Sequence, residues 1–476
     1  MIRRQRLPGP LLALLAVAAV MACAWIVLIP PLQGPDEGGH IAYVQKMVER
    51  KTVPFFEERA PYRYSTEERI AGFYGGFEPL RGNLDARPLW TPVDVAIWRR
   101  ADAAAGPDAK RDALYDQSFR NPPLYYAYAA VPYLAGRSGS FFARELLMRL
   151  ANIPLLLLVV LFSWLVAAEL FGGRRLPCLV ATVPVALQPQ LLNLSAVVNP
   201  DVALAAAWSA AILVLVRLLK RGPTRGRVAA LAALCAASAL IQPRGATLIA
   251  PAALALALLW RRRLTRPTAR RAWIGGLAAL LLLGAAGTAA WLVDGHPVLA
   301  RLRLVGSYLW QFYLPRLPGM TPSPDAAAYG FREVFVDRFQ GTLAQLEVTL
   351  PRSAEELLYV LTLAALAGLV LLAVRRRAWL ARAGRWELIA VFAALLVVPI
   401  VAVQIVAARG LATPGFDPTI TGRYLLPVLP LYGAAIAALV RSAPARLVPV
   451  AAGAVVGGAL VLQLGSAGLL LARFYG

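Results

Sequence analysis

The stretch Pro35-Asp36-Glu37-Gly38-Gly39-His40 sets two adjacent carboxylates and an imidazole beside a long apolar run. These are the side-chain types that move protons in general acid–base chemistry. Pro35 ends the approach, Asp36 stands at an N-cap position, and Ile41, Val44, Met47 and Val48 recur at helical spacing. The spacing predicts a short amphipathic helix lying at the membrane surface, with Asp36 and His40 one turn apart on the same side. The plainer structural reading is that Asp36 caps this helix and Glu37 favours its dipole. Two arginines also stand at the ends of apolar runs, Arg244 in the tight turn Gln242-Pro243-Arg244-Gly245 and Arg423 in Gly422 to Pro430. A guanidinium there either binds an anion or snorkels to the interface. Asp201, after Asn199 and Pro200, starts another run and reads equally as an N-terminal helix acid.

Those residues have to be placed by membrane-spanning elements. The 476 residues are 59% hydrophobic with a mean hydropathy of +0.60, more apolar surface than a soluble core hides. Cys23, Cys178 and Cys235 all lie in apolar runs without metal or redox spacing, which assigns them to packing. The formal charge is +23, and 23 basic residues fall in six short segments free of acids: Arg3 to Arg6, Arg174 and Arg175, Arg217 to Arg227, Arg261 to Arg271, Arg375 to Arg385, and Arg441 to Arg446. The remaining 26 basic residues balance the 26 acids, so the net charge is a positive-inside signal. Scattered short loops without interleaved aromatics exclude a nucleic-acid surface.

A crossing needs about 20 apolar residues, and eleven such runs are legible: 10–29, 146–171, 177–198, 201–219, 228–241, 245–260, 272–293, 356–374, 387–408, 424–440 and 447–472. Starting inside, an alternating path puts all six basic segments in the cytoplasm. Counting Leu124 to Leu134 as a crossing would reverse the later ones, so that stretch is kept out of the bilayer core. Two large extracytoplasmic segments result, 30–145 and 294–355, with small outer turns near Asn199, Arg244 and Thr413. Ala22-Cys23-Ala24 resembles a signal-peptide cleavage site, but the apolar run continues through Ile29 and has spanning length.

The order of a first span, then Pro35-Asp36-Glu37 and His40, then Asn121-Pro122-Pro123-Leu124-Tyr125-Tyr126, resembles the GT-C superfamily of membrane glycosyltransferases. Within it the chain is most similar to a group of predicted membrane proteins of unassigned activity. Arg149, Asn199 to Asp201, Gln242 to Gly245, Trp310 to Pro315 and Gly422 to Pro430 continue the likeness. All but Arg149 fall on the outer side of a topology fixed from charge alone. The resemblance implies one GT-C-like domain over 1–476, an all-α integral membrane protein of about eleven transmembrane helices whose two large outer loops carry short interfacial helices. It implies inverting transfer of a sugar from a polyprenyl phosphate or diphosphate, with Asp36 matching the catalytic base and Glu37 its support or substitute. Arg423 and Arg244, with His40 as helper, are then the groups for the phosphate. Asn121, Pro123, Tyr125 and Tyr126 would shape the acceptor groove with Asn199 and Asp201, and Trp310 would rest beside the donor lipid.

No P-loop, GxGxxG or HExxH occurs, so nucleotide and zinc chemistry lack sequence support. A lipid-linked donor fits, no cofactor is expected, and a divalent ion gathered by Asp36, Glu37 and Asp201 is the less favoured alternative. The expected partners are the lipid-linked donor, a glycan, lipid or protein acceptor, and membrane lipids. The expected place is a bacterial plasma membrane, serving the cell envelope. Two rivals stand: a transporter or lipid flippase, to which the short spans around Arg244 are the one helpful feature, and a non-catalytic subunit of envelope glycan assembly.

Overall fold

The computed structural model describes residues 7–57, 61–88, 90–263, 268, 288, 297–322, 330–380, 385–411 and 421–476. The first helices are α1 (Gly9–Leu28), α2 (Glu37–Arg50), α3 (Thr66–Tyr74), α4 (Pro92–Ala105), α5 (Leu124–Ala135) and α6 (Phe141–Phe171). Then come α7 (Arg175–Ala186), α8 (Pro189–Ser195), α9 (Asp201–Arg221), α10 (Arg225–Ile241) and α11 (Ile249–Arg261). The chain continues with α12 (Val298–Tyr313), a hairpin of β1 (Thr342–Leu343) on β2 (Val348–Thr349), α13 (Arg352–Arg375), α14 (Arg385–Gly410), α15 (Leu429–Ser442) and α16 (Val448–Tyr475).

Among the described residues, eight helical segments are long and apolar enough to cross a bilayer. The bent pair α7–α8 makes a ninth if it is one span. The expected count of eleven is therefore not reproduced. The run at 272–293, apart from Thr288, and the turn near Thr413 lie outside the described residues, and α10, at 17 residues, is shorter than the other candidates. Pro184 and Pro189 explain the bend of 56° between α7 and α8, since each removes a backbone donor and Pro189 opens the new helix at its first turn. Helix α13 buries none of its residues and exposes Leu357, Val360, Leu361 and Leu366, a surface that suits contact with lipid. Helix α5 is 12 residues, roughly 18 Å at 1.5 Å per residue, too short to span, and it packs on α2 and α6.

Two ends of the bundle differ in chemistry. Helix α6 begins near Glu145 and Arg149 and ends at Glu169, which binds Arg217 and Arg221 at the close of α9. Helix α9 begins at Asp201, and Arg262 after α11 binds Glu387 early in α14. Among the described residues, Arg217, Arg221 and Arg262 thus lie at one end and Asp36, Asp201, Arg244 and Arg423 at the other.

Three local expectations need correction. Asp36 does not cap α2: its backbone is left-handed, with φ of 57°, and its side chain makes no capping bond. Helix α2 does not lie on a surface, because Glu37 to Lys46 are buried on all sides beneath the 61–121 segment. Gly39 permits this close approach, since a Cβ there would strike Asp116 and Ser118. Cys23 is exposed rather than packed, whereas Cys178 is buried.

Candidate functional site

Arg149 builds the floor of the site. Its guanidinium holds Glu37 in a fork, Nε to Oε1 at 2.8 Å and Nη2 to Oε2 at 2.7 Å, and donates to the carbonyls of Ile29 and Pro30. Those carbonyls follow α1 and would be orphaned at its C-terminus. Glu37 also accepts from the backbone N–H groups of Gly34 and Val198, so both its oxygens are filled and it is fully buried. Glu37 therefore supports the loop and is no substitute base. Glu145 completes the knot by accepting from Leu32 N and binding Arg149.

This anchored loop carries Asp36 into its left-handed turn, a conformation a non-glycine residue holds only where its surroundings impose it. Asn199 fixes the turn from the other side, donating to the Pro35 carbonyl at 3.0 Å while its own Oδ1 accepts from Asp201 N. The Asp36 carboxylate meets Arg423 Nη2 at 2.9 Å and the Gln117 amide at 3.5 Å. Its side chain is 37% exposed, against 4% for Asp201, so of the two carboxylates paired with Arg423 it alone has an open face. Burial raises its pKa, but the charge of Arg423 and the hydrogen bond it donates, with the charge of Arg81, outweigh this and hold the carboxyl below its ordinary value.

Arg423 reaches this point through a relay of buried amides. Gln188 donates to Phe339 O, Gln190 accepts from Thr342 N and Asn193 accepts from Ala344 N, so the broken helix α7–α8 satisfies the backbone of the 339–344 turn. That turn presses against Gly422, where a Cβ would collide with Phe339 N and Val334 O. Only glycine lets the Gly422–Val428 turn seat there and aim Arg423 at Asp36. Asp201 lies 3.8 Å from Arg423 Nε and pairs with Arg244, which is also held by Gln242 at 2.7 Å and stacks 4.3 Å from the Tyr424 ring. Among the described residues, Arg423 Nε and Nη1 and Arg244 Nη1 are buried with no hydrogen-bond partner.

The other residues singled out in the sequence divide. His40 is buried, its Nδ1 2.8 Å from Tyr126 Oη; burial lowers its pKa against the pull of Asp36, Asp116 and Asp201, which favours the neutral ring. Asn121 donates to Tyr126 Oη, and Tyr126 stacks on Tyr43 at 3.6 Å. Tyr125 donates to Asn152, which in turn binds Val197 O, so both tyrosines are buried posts rather than groove walls. Pro123 precedes α5. Trp310 is exposed, bonds Pro315 O, and stands apart from this network. Sequence reasoning missed Gln117, Gln242's bond to Asp201 at 2.8 Å, and Arg81, which Gln345 holds beside the Leu32 turn. Gln242 stood within a noted motif and Gln117 just before one; Arg81 carried no signal. Among the described residues no group of three His, Cys, Asp or Glu side chains is arranged to hold a metal ion.

The fold and this polar knot at one bundle end define a polytopic all-α membrane protein. Residues 20–432 match the family model described as "Predicted membrane protein (DUF2142)", and the chain belongs to that family. A similar solved structure is the arabinosyltransferase EmbB from Mycobacterium smegmatis, at 14% identity and a TM-score of 0.35, over 99% of this chain and 42% of that one. No curated protein matches the chain.

Proposed function

We propose that the chain is a membrane glycosyltransferase that moves a sugar from a polyprenyl-phosphate-linked donor to an acceptor at the extracytoplasmic face of the plasma membrane, with inversion. One observation carries this reading: Asp36, a carboxylate 37% exposed, is paired with the buried Arg423, and among the described residues Nη1 of Arg423 and Nη1 of the nearby Arg244 have no hydrogen-bond partner. Buried donors without acceptors are costly, and an anionic ligand relieves that cost. The donor phosphate would take the free N–H groups of Arg423 and Arg244 and draw Arg423 from Asp36. The released carboxylate would accept the acceptor hydroxyl's proton as the new C–O bond forms, while the phosphate departs with the electron pair of the broken glycosidic bond.

The broken helix α7–α8 is the feature that favours a transporter instead. Formation of a glycosylated product in vesicles holding only the purified chain, donor lipid extract and acceptor separates the two. Arg423→Ala should raise the apparent KM for donor about tenfold or more, with a smaller effect on acceptor, and Arg423→Lys should restore part of it. An unchanged donor KM in Arg423→Ala removes the phosphate role.

A further inference from the structure

Glu68 takes no part in the centre around Asp36, yet its surroundings leave it a definite task. It stands in the first turn of α3, 2% exposed, and among the described residues neither of its carboxyl oxygens has a hydrogen-bond partner. Ser65 caps this turn by accepting from Glu68 N at 3.1 Å, which fixes the backbone beneath the side chain. The carboxyl meets the start of α2, where a Cβ on Gly38 would come within 2.8 Å of Glu68 Oε1 and 3.4 Å of the Tyr64 hydroxyl. Gly38 is two residues beyond Asp36, so this contact presses α3 against the turn that carries the Asp36 carboxylate.

The charges that act on Glu68 are of its own sign: Asp116, which lies against the neighbouring Gly39, then Glu145, Glu67 and Glu37. The cations on the packed elements already have partners. Arg144 of α6 binds Glu67 at 2.5 Å and Lys110 lies 3.8 Å from it, while Arg149 holds Glu37 at 2.7 Å and Glu145 at 3.0 Å. On α2, Lys46 pairs with Glu57 and burial holds His40 toward its neutral form. Helix α4 sets Arg99 and Asp102 together on the Glu67 side of α3, and Arg69 and Glu78 are exposed. Burial and the acids Asp116 and Glu68 raise the Tyr64 phenol, so it adds no charge.

We infer that Glu68 is a proton-held latch: its neutral carboxyl lets α3 close on the first turn of α2, and loss of the proton as pH rises opens that contact beside Asp36. An ionised carboxylate here would be buried with neither a cation nor a donor, a cost the neutral acid avoids. Burial and the four acids accordingly push the Glu68 carboxyl well above its ordinary 4.5. The folded chain then keeps a proton that the unfolded chain has released. Stability from this group is therefore full below about pH 4.5 and is lost as pH rises toward the folded value. Once ionised, the carboxylate has to reach water, and α3, only nine residues long, is the element that carries it there. The latch rests on burial and charge alone and holds whether or not the chain transfers sugar.

The test uses the full chain in lipid nanodiscs, melted at intervals from pH 5 to pH 9, beside Glu68→Gln, which keeps the shape and cannot ionise. Glu68→Met, of similar size and with no carboxyl, guards against a misfit of the amide. Both variants should gain on the parent as pH rises, melting at least about 2 °C above it at pH 8, and the gap should close toward pH 5. Hydrogen exchange, corrected for its intrinsic pH dependence, should speed up with pH across 36–44 and 66–74 in the parent and stay flat in both variants. Parallel melting profiles in parent and variants, or opening of the parent at segments other than these two, overturns the latch. So does a rise in the parent's melting point with added calcium that both variants lose, which would assign the carboxyl to a metal ion instead of a proton.

Discussion

Replacing Asp36 by Asn sets the proposed chemistry against the fold, because the structure assigns different magnitudes to each. The substitution keeps the shape of the side chain and removes one charge. That charge is 37% exposed and paired with a single arginine at 2.9 Å, so its contribution to stability, discounted for solvent, is about 0–1 kcal/mol. As a general base the same carboxylate is worth about 10²–10⁴ in rate, or roughly 3–5.5 kcal/mol of barrier. Glu37→Gln inverts the pattern. It removes one of the two carboxylate charges that neutralise Arg149 in a buried site, at a cost of about 3–5 kcal/mol, and leaves Asp36 chemically intact. Thermal melting followed by size-exclusion chromatography should therefore place Asp36→Asn near the parent and Glu37→Gln well below it. Transfer of radiolabelled sugar from a lipid-linked donor should fall at least a hundredfold in Asp36→Asn. If Asp36→Asn keeps more than about a tenth of the parent rate, Asp36 is not the base; if it melts as low as Glu37→Gln, the carboxylate is a structural post.

The pH dependence follows from the lowered pKa of Asp36, whose ordinary value is 3.8. A depressed group contributes stability above its unfolded value and loses it as pH falls through the folded one, so both that contribution and the ionised base persist throughout about pH 5–7. Because kcat/KM reports the free enzyme, its profile should show no acid limb from Asp36 in that window, and a limb there assigns the base to another group. Gly422→Ala should lower the melting point, with overpacking of about 1–3 kcal/mol against Phe339 and Val334, and should impair donor use; a neutral effect would dissolve the relay that aims Arg423. Single cysteines at Leu84 and Gly330 should react with impermeant maleimide from outside intact cells, and protection of either refutes the proposed orientation.

What the sequence made legible was the part written in one-dimensional patterns. Apolar length marks α1, α6, α9, α13, α14 and α16 because a bilayer imposes length directly. Arg217, Arg221 and Arg262 mark one end of the bundle because charge is counted locally, and Asp36, Asp201, Arg244 and Arg423, at the opposite run ends, are gathered at the other end by the same alternation. What stayed illegible was every partner set by three-dimensional contact. The role of Asp36 turned on a left-handed φ that no propensity reveals, since aspartate is the common N-cap and α2 begins at the next residue. Glu37 stood as support or substitute for Asp36, and that choice stayed open until Arg149, 112 residues away, took both its oxygens.

The contrast between these neighbours also bears on which arginines remain for an anion. Arg149 spends its donors on Glu37, Glu145 and two backbone carbonyls. Arg423 and Arg244 share Asp201 between them and keep N–H groups with no acceptor. Two guanidiniums competing for one fully buried carboxylate leave an excess of positive charge beside Asp36. Arg423 holds the Asp36 carboxyl below its ordinary value, and the same guanidinium would draw a phosphate into contact with it. An aspartate kept charged by a cation that the donor then claims gains basicity only once the donor is bound, which ties proton acceptance to the presence of a leaving group.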